Sequence, residues 1–253
     1  MSMPSVPRGS GECPILFVTI SACDMTGSTP FYGSVFGWRT HEVSPDVSGA
    51  QTPGGPNVAL RSDAPAGFPP MVPFVGVRDV EATLERVVSG GGTVERGPWP
   101  VAMAGTLARF RDPSGTLYGL TSALPTDPIP RIEAPFGSNP KPTPGSICSI
   151  EMYAADRHAT GAFFRDVFGW GSAETMPHYR GFDPGAGIGG VFQSHTPTAP
   201  AMTYIYVNDV SDAIAKIRAW GGKPLGDPMS APGMGTFGYF VDPSGSAMAL
   251  IGP

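Results

Sequence analysis

Two periods of apolar residues alternate along this chain. Short apolar runs at 15–21, 71–77, 107–111 and 116–121 have the length and bounding turns of strands. Between them lie helical stretches. Thr29-Pro30 supplies an N-cap and an N1 proline for a helix carrying Phe31 and Val35 on one face, ended by Gly37. A second helix is predicted from about Asp79 to Ser89, with Val80, Leu84, Val87 and Val88 on one face and Gly90-Gly91-Gly92 as its stop. Further strands are predicted at 38–43 and 58–62. The last two strands of this stretch are joined by Asp112-Pro113-Ser114-Gly115, where proline presets φ and glycine accepts the turn.

The whole pattern then occurs again. Phe36-Gly37-Trp38 returns as Phe168-Gly169-Trp170, and Asp24 returns as Asp156, both 132 residues on. Val77-Arg78-Asp79-Val80 matches Val207-Asn208-Asp209-Val210, and Asp112-Pro113-Ser114-Gly115 matches Asp242-Pro243-Ser244-Gly245, both at an offset of 130. Strands at 147–153, 202–207, 237–241 and 246–251 and helices at 160–168 and 210–220 complete the second copy. Landmarks in one order at a nearly constant offset define a repeat. Each copy reads as two βαβββ units, four in all. The predicted division is an irregular leader (1–9), a first domain (10–124), a linker (125–144) with prolines at 125, 128, 130, 135, 140, 142 and 144, and a second domain (145–253).

Composition narrows the function classes. Gly 35 and Pro 30 lie between apolar runs rather than in tracts, which suits a turn-rich folded protein. A net charge of -5 leaves no basic stripe for phosphates, so nucleic acid is excluded as a partner. Nothing approaches the roughly 20 apolar residues of a membrane span. The leader has no apolar segment of the secretory kind, and Cys13, Cys23 and Cys148 do not all pair. A cytoplasmic location is the expectation.

The strand, Asp, helix, Phe-Gly-Trp series, the Val-x-Asp-Val entry to the second helix and the strand, Asp-Pro-Ser-Gly, strand ending together resemble the vicinal-oxygen-chelate superfamily. That family includes glyoxalase I, extradiol dioxygenases and bleomycin-resistance proteins. The particular resemblance is to two-domain glyoxalase-like proteins, some labelled hydroxylases by similarity alone. It implies an α+β fold of two tandem glyoxalase/bleomycin-resistance-like domains, each two βαβββ units forming a curved mixed sheet around a cavity. It also implies ligand positions for a metal on the first strand, on the strand before the second helix and on the last strand. Counted onto this chain, those positions hold Phe17, Val72 and Gly119 in the first half and Ser149, Met202 and Ala249 in the second. None is a usual ligand. A fourth position falls near Leu60 or Gln193, and one carboxamide does not hold a divalent ion. The expectation is a protein without a metal or other cofactor.

Strand alternation gives the neighbours of those positions. In the first half they are Thr19, Ser21, Phe74 and Gly76, and in the second Glu151, Tyr153, Tyr204 and Tyr206. A carboxylate in an apolar cavity is desolvated and its pKa raised, so Glu151, with Tyr204 donating to a ligand oxygen, is the candidate general acid or base. The competing reading is a carboxylate satisfied by a neighbouring Arg or Tyr. Phe17, Thr19, Phe74, Ser149, Tyr153, Met202 and Tyr206 are the candidate ligand contacts. Trp99 and Met103, in the segment 97–105, and Met229 and Met234, in 227–235, are candidate lids, or else plugs, over the two cavities. His178 and His195, in or just after a glycine-rich segment, are of a residue type that serves as acid or base but have no partner visible in the sequence.

Two functions follow. The leading one is metal-independent binding of a small apolar or aromatic metabolite or drug in the concave pockets, by a monomer or homodimer. The alternative is a metal-free isomerase, lyase or hydroxylase-like tailoring enzyme that uses Glu151. A scaffold with vestigial pockets is a third. Which units share a pocket stays open.

Overall fold

The computed structural model describes residues 5–132, 141–195 and 200–253. The first four residues of the leader and the part of the linker at 133–140 lie outside the described residues.

In chain order the first half contains β1 (Ile15–Ser21), α1 (Met25–Phe36), β2 (Arg39–Ser44), β3 (Val47–Gln51), β4 (Asn57–Arg61), β5 (Met71–Gly76), α2 (Val80–Ser89), β6 (Thr93–Val101), β7 (Gly105–Arg111) and β8 (Leu117–Thr121). After β9 (Arg131–Ile132) come β10 (Ile147–Tyr153), α3 (Arg157–Phe168), β11 (Gly171–Met176), β12 (Tyr179–Asp183), β13 (Gly187–Ile188), β14 (Gly190–Gln193), β15 (Ala201–Tyr206), α4 (Val210–Ala219), β16 (Lys223–Pro224), β17 (Met229–Ala231), β18 (Gly235–Val241) and β19 (Ala247–Gly252). One mixed sheet has the order β2-β3-β4-β1-β5-β8-β7-β6. A second has the matching order β11-β12-β14-β10-β15-β19-β18-β16, with β17 on β18, and β9 pairs with β13. In each sheet one parallel pair brings the second helix's entry strand to the last strand, with Phe74 opposite Gly119 and Tyr204 opposite Ala249. The class is α+β.

The four repeated aspartates have a local job. Asp24, Asp79, Asp156 and Asp209 are the N-caps of α1, α2, α3 and α4, each accepting from a backbone N–H two or three residues on. Such a side chain satisfies one of the orphan donors of a helix start. This corrects the expected start of α1 at Thr29-Pro30. Asp24 captures Gly27 N at 2.9 Å, so the helix begins five residues earlier than expected and Pro30 lies inside it. Its buried face is Ser28, Phe31, Tyr32 and Phe36, with Val35 at the margin. In α2, Thr83 takes the buried place expected of Val88, which is 54% exposed. Gly37 and Gly169, at φ 72° and 71°, end α1 and α3 in the left-handed conformation that glycine adopts without strain.

The chain packs into two compact units. Unit 1 comprises Met1–Phe17, Val72–Ile132 and Glu151–Ala201, and unit 2 comprises Val18–Met71, Glu133–Ile150 and Met202–Pro253. The core of unit 1 is a cluster of rings, Phe110, Tyr118, Phe164, Phe168, Trp170 and Phe192, all 2% exposed or less. Unit 2 uses Phe31, Tyr32, Phe36, Trp38 and Phe240. Trp38 stacks on Tyr32 at 4.6 Å and donates from Nε1 to Gly145 O at 2.8 Å. In unit 1 Trp170 stacks on Phe164 at 4.7 Å and donates to Cys13 O at 2.7 Å. Both tryptophans are core residues whose single polar atom is satisfied. The described part of the leader docks in unit 1. Ser10 N donates to Gly169 O, Gly11 N to Pro184 O, and Arg8 to Gly185 O.

Candidate functional site

Alternation along β10 is direct. Ile150 and Met152 are fully buried, whereas Ser149, Glu151 and Tyr153 are half-buried, as expected of residues facing an open side. β5 and β15 are buried throughout. What stands at the counted ligand positions differs between the copies.

In unit 1 the rings of Phe17 and Phe74 lie parallel, 13° apart, with centroids at 4.4 Å. Phe74 lies over Gly119, where a Cβ would sit 2.2 Å from its ring carbons. A glutamate side chain at position 119 is therefore sterically barred while Phe74 holds this place. In unit 2 the corresponding residues are Ser149, Tyr204 and Ala249. Tyr204 meets Phe237 edge to face at 6.3 Å, and its backbone oxygen accepts from the buried Cys148 thiol at 3.4 Å. Tyr204 is 9% and Met202 6% exposed, against 2% and 0% for their counterparts Phe74 and Val72. Tyr206 is buried beside them, and desolvation pushes its phenol above the usual range, with a smaller push from Cys148. Burial also raises the Cys148 thiol to about 12, which keeps it protonated and unreactive.

These donor sets do not fit a divalent ion. Phe, Val, Gly, Ser, Met and Ala offer no anionic or imidazole ligand. Among the described residues no group of three or more His, Cys, Asp or Glu is placed to hold one. Gln193, at the fourth position, is buried, and its Oε1 accepts from the backbone N of His195 at 2.9 Å.

Other expected contacts are distributed. Thr19 is buried in unit 2. Trp99 is not on a free loop: it belongs to β6, opposite Leu107, with Arg96 over its ring at 4.0 Å and Arg109 at 5.6 Å. Met103 is at the tip of the β6–β7 hairpin, 89% exposed, and Met229 is 59% exposed on β17. Met234, in the turn between β17 and β18, is half-buried. The structure brings Ser149, Met202, Tyr204 and Tyr206 into one unit, and Phe17 and Phe74 into the other.

One grouping was not anticipated. Tyr179 Oη and His195 Nε2 are 2.7 Å apart, and His195 Nδ1 approaches Gln193 Oε1, which accepts only. An oxygen there is complementary to an Nδ1–H tautomer, in which Nε2 accepts from the Tyr179 hydroxyl. The signal available in sequence was the i,i+2 pair Gln193 and His195, which is uninformative without the antiparallel partner β12.

Over residues 15–120 the chain matches the model of the "Glyoxalase/Bleomycin resistance protein/Dioxygenase superfamily". It is 27% identical over 254 residues to "Putative glyoxylase CFP32" of Mycobacterium tuberculosis (strain CDC 1551 / Oshkosh), covering 94% of each chain. It is 25% identical to "Anthracycline biosynthesis protein DauV" of Streptomyces sp. (strain C5), covering 90% of this chain and 89% of that one. The fold is shared with the Mn(II)-bound glyoxalase from Novosphingobium aromaticivorans, at a TM-score of 0.65 and 19% identity, covering 97% of this chain and 83% of that one. It is shared too with the 2,3-dioxygenase LapB from Pseudomonas sp. KL28, at 0.65 and 16%, covering 100% and 94%. Among the described residues no helix is long and apolar enough to cross a membrane.

Proposed function

We propose that this protein is a metal-independent binder of a small, planar, apolar or aromatic molecule, a metabolite or drug, built as a tandem pair of glyoxalase-like domains. The observation that carries the reading is the donor set itself: six counted ligand positions hold no metal-binding side chain, and one of them, Gly119, lies under a phenylalanine ring. Aromatic walls at Tyr204, Tyr206 and Phe237 favour a flat ligand. Likeness to a protein named for anthracycline biosynthesis agrees with a polycyclic one. We place the protein in the cytoplasm, consistent with three free cysteines, as a monomer or homodimer.

The test is equilibrium binding of quinizarin, an uncharged planar anthraquinone, to metal-stripped and metal-supplemented protein. Equal affinity in both states is the expected result. A requirement for zinc, iron or manganese, or no binding in either state, overturns the reading. Native mass spectrometry of untagged protein purified without chelator is the companion measurement, expected to show a metal-free chain.

An enzymatic reading keeps one specific support, the half-buried carboxylate of Glu151 on β10. In that case Glu151→Gln abolishes turnover, whereas a pure binder loses at most some affinity.

A further inference from the structure

Glu42 and Glu174 occupy the same place in the two copies, 132 residues apart, yet among the described residues only Glu174 of the pair has an ion-pair partner. Each precedes a bulge in an edge strand of its sheet and stands across from the residue six further on, Glu174 from Arg180 and Glu42 from Ser48. In unit 1 cationic side chains fill the space beside this carboxylate. Arg157, in the first turn of α3, lays its guanidinium on Glu174, with Nη2 on Oε1 at 2.7 Å and Nε on Oε1 and Oε2 at 3.0 and 3.1 Å. Arg180 packs against Gly161 and donates from Nε to Ser172 Oγ at 3.0 Å.

Unit 2 keeps the carboxylate and removes the cations. Met25 stands in place of Arg157, Thr26 in place of His158 and Ser48 in place of Arg180. What remains is a groove of about 430 Å³ between the start of α1 and the β2–β3 hairpin, lined by Glu42, Met25 and the hydroxyl-bearing Thr26, Thr29, Thr40 and Ser44. Its volume lies in the range of small-molecule sites. Arg39, on the same strand, does not serve Glu42: alternation puts it on the other face, where it donates to Gln51 Oε1 at 2.9 Å. None of the counted metal-ligand positions lines the groove.

We propose that this groove is a separate binding site for the guanidinium group of a small alkylguanidine. The guanidinium stands where that of Arg157 stands in unit 1, forked on the Glu42 carboxylate, with the alkyl stem along Met25. Its remaining N–H groups meet hydroxyls, Thr40 being the counterpart of the Ser172 acceptor. A planar fork of donors matches a carboxylate in two places at once, which a primary ammonium, as a point charge, does not. Anions are repelled by Glu42.

The probe is 1-butylguanidinium chloride, titrated into the full chain at low salt and followed by backbone-amide NMR shifts at residues 25–29 and 40–48. Exposed ion pairs are weak and screened, so a dissociation constant of about 1 mM that rises with added salt is expected. Glu42→Gln is expected to weaken binding by about five-fold or more. Met25→Arg, which copies Arg157 and supplies the guanidinium from the chain itself, is expected to abolish it. Glu81→Gln, at an exposed carboxylate in the first turn of α2, is expected to leave the affinity within about two-fold. 1-Butylurea, of the same shape without the charge, is expected not to bind. Full affinity in Glu42→Gln or in Met25→Arg, equal binding of 1-butylurea, or no saturable shift in the wild type overturns the proposal, and none of these outcomes bears on quinizarin binding.

Discussion

Inside unit 2, Tyr32 donates its hydroxyl to Asp242 Oδ2 at 2.8 Å, both side chains being buried. Unit 1 has the corresponding aspartate, Asp112, in the same Asp-Pro-Ser-Gly turn, but the helix position that matches Tyr32 is Phe164. There the nearby hydroxyl is that of Tyr118 on β8, whose own counterpart is Met248, and it makes no well-aligned hydrogen bond to the aspartate. Each unit thus matches one buried aspartate with one tyrosine, drawn from a helix in one case and from a strand in the other. Both aspartates also receive backbone N–H groups of their turns, Thr116 N on Asp112 and Ser246 N on Asp242.

Removing the Tyr32 hydroxyl strands a buried carboxyl oxygen. Tyr32→Phe should cost about 1–3 kcal/mol in urea denaturation. Adding Met248→Tyr, which copies the unit 1 arrangement, should recover part of that loss. An additive or larger loss in the double variant would show that the two hydroxyl sources are not interchangeable.

Asp112 makes stability depend on pH near neutrality. Burial pushes its carboxyl from the ordinary 3.8 to about 7, against the opposing pull of backbone N–H groups. Its Oδ2 and Tyr118 Oη lie buried without a well-aligned hydrogen bond, and the aspartate's charge adds to the burial that lifts the Tyr118 phenol. Between about pH 4 and 7 the folded state holds a proton that the unfolded chain has released. The stabilisation from this group is complete below about pH 4 and is lost as pH rises through 7, by up to about 1.4 kcal/mol per pH unit. Denaturation at pH 5, 6, 7 and 8 should show a gap between wild type and Asp112→Asn that shifts in the variant's favour with rising pH. A constant gap would remove the raised carboxyl as its cause.

Gly119 answers to Phe74. With a Cβ contact of 2.2 Å, Gly119→Ala must displace the ring, and overpacking of that kind costs about 1–3 kcal/mol. Phe74→Leu in the Gly119→Ala background should return part of the loss. Ala249→Gly, beneath Tyr204, should cost no more than the usual glycine penalty in a strand. Thermal melts of the three variants check this.

Met103 occupies the left-handed region at φ 66°, where the second copy has Gly233 at φ 77°. Its side chain is 89% exposed, so little packing offsets the strain. Met103→Gly should stabilise by about 0.5–1 kcal/mol, the relief of strain exceeding the added freedom of the unfolded chain. A lower melting temperature would mean that Met103 packs against something in solution.

Four βαβββ units were legible in the sequence because their markers are local. A capping aspartate, a left-handed glycine and an Asp-Pro-Ser-Gly turn each act within a few residues, so they leave a spacing that repeats. The ring at position 17 and the serine at 149 were equally visible. The sequence also determined that no usual metal ligand stands at the counted positions, because that follows from residue identity alone. Only the tertiary structure decided that the first and fourth βαβββ units pack as one compact unit and the second and third as another, since the buried faces of α1 and α4, or of α2 and α3, are compatible with several pairings until side chains interlock. It also decided that Phe17 covers Phe74 rather than opening toward solvent, that Trp99 lies in β6 with Arg96 over its ring, and that a tyrosine 210 residues away in the chain meets Asp242. Such contacts depend on where two distant strands and a helix cross, and residue identity and local spacing carry no record of that crossing.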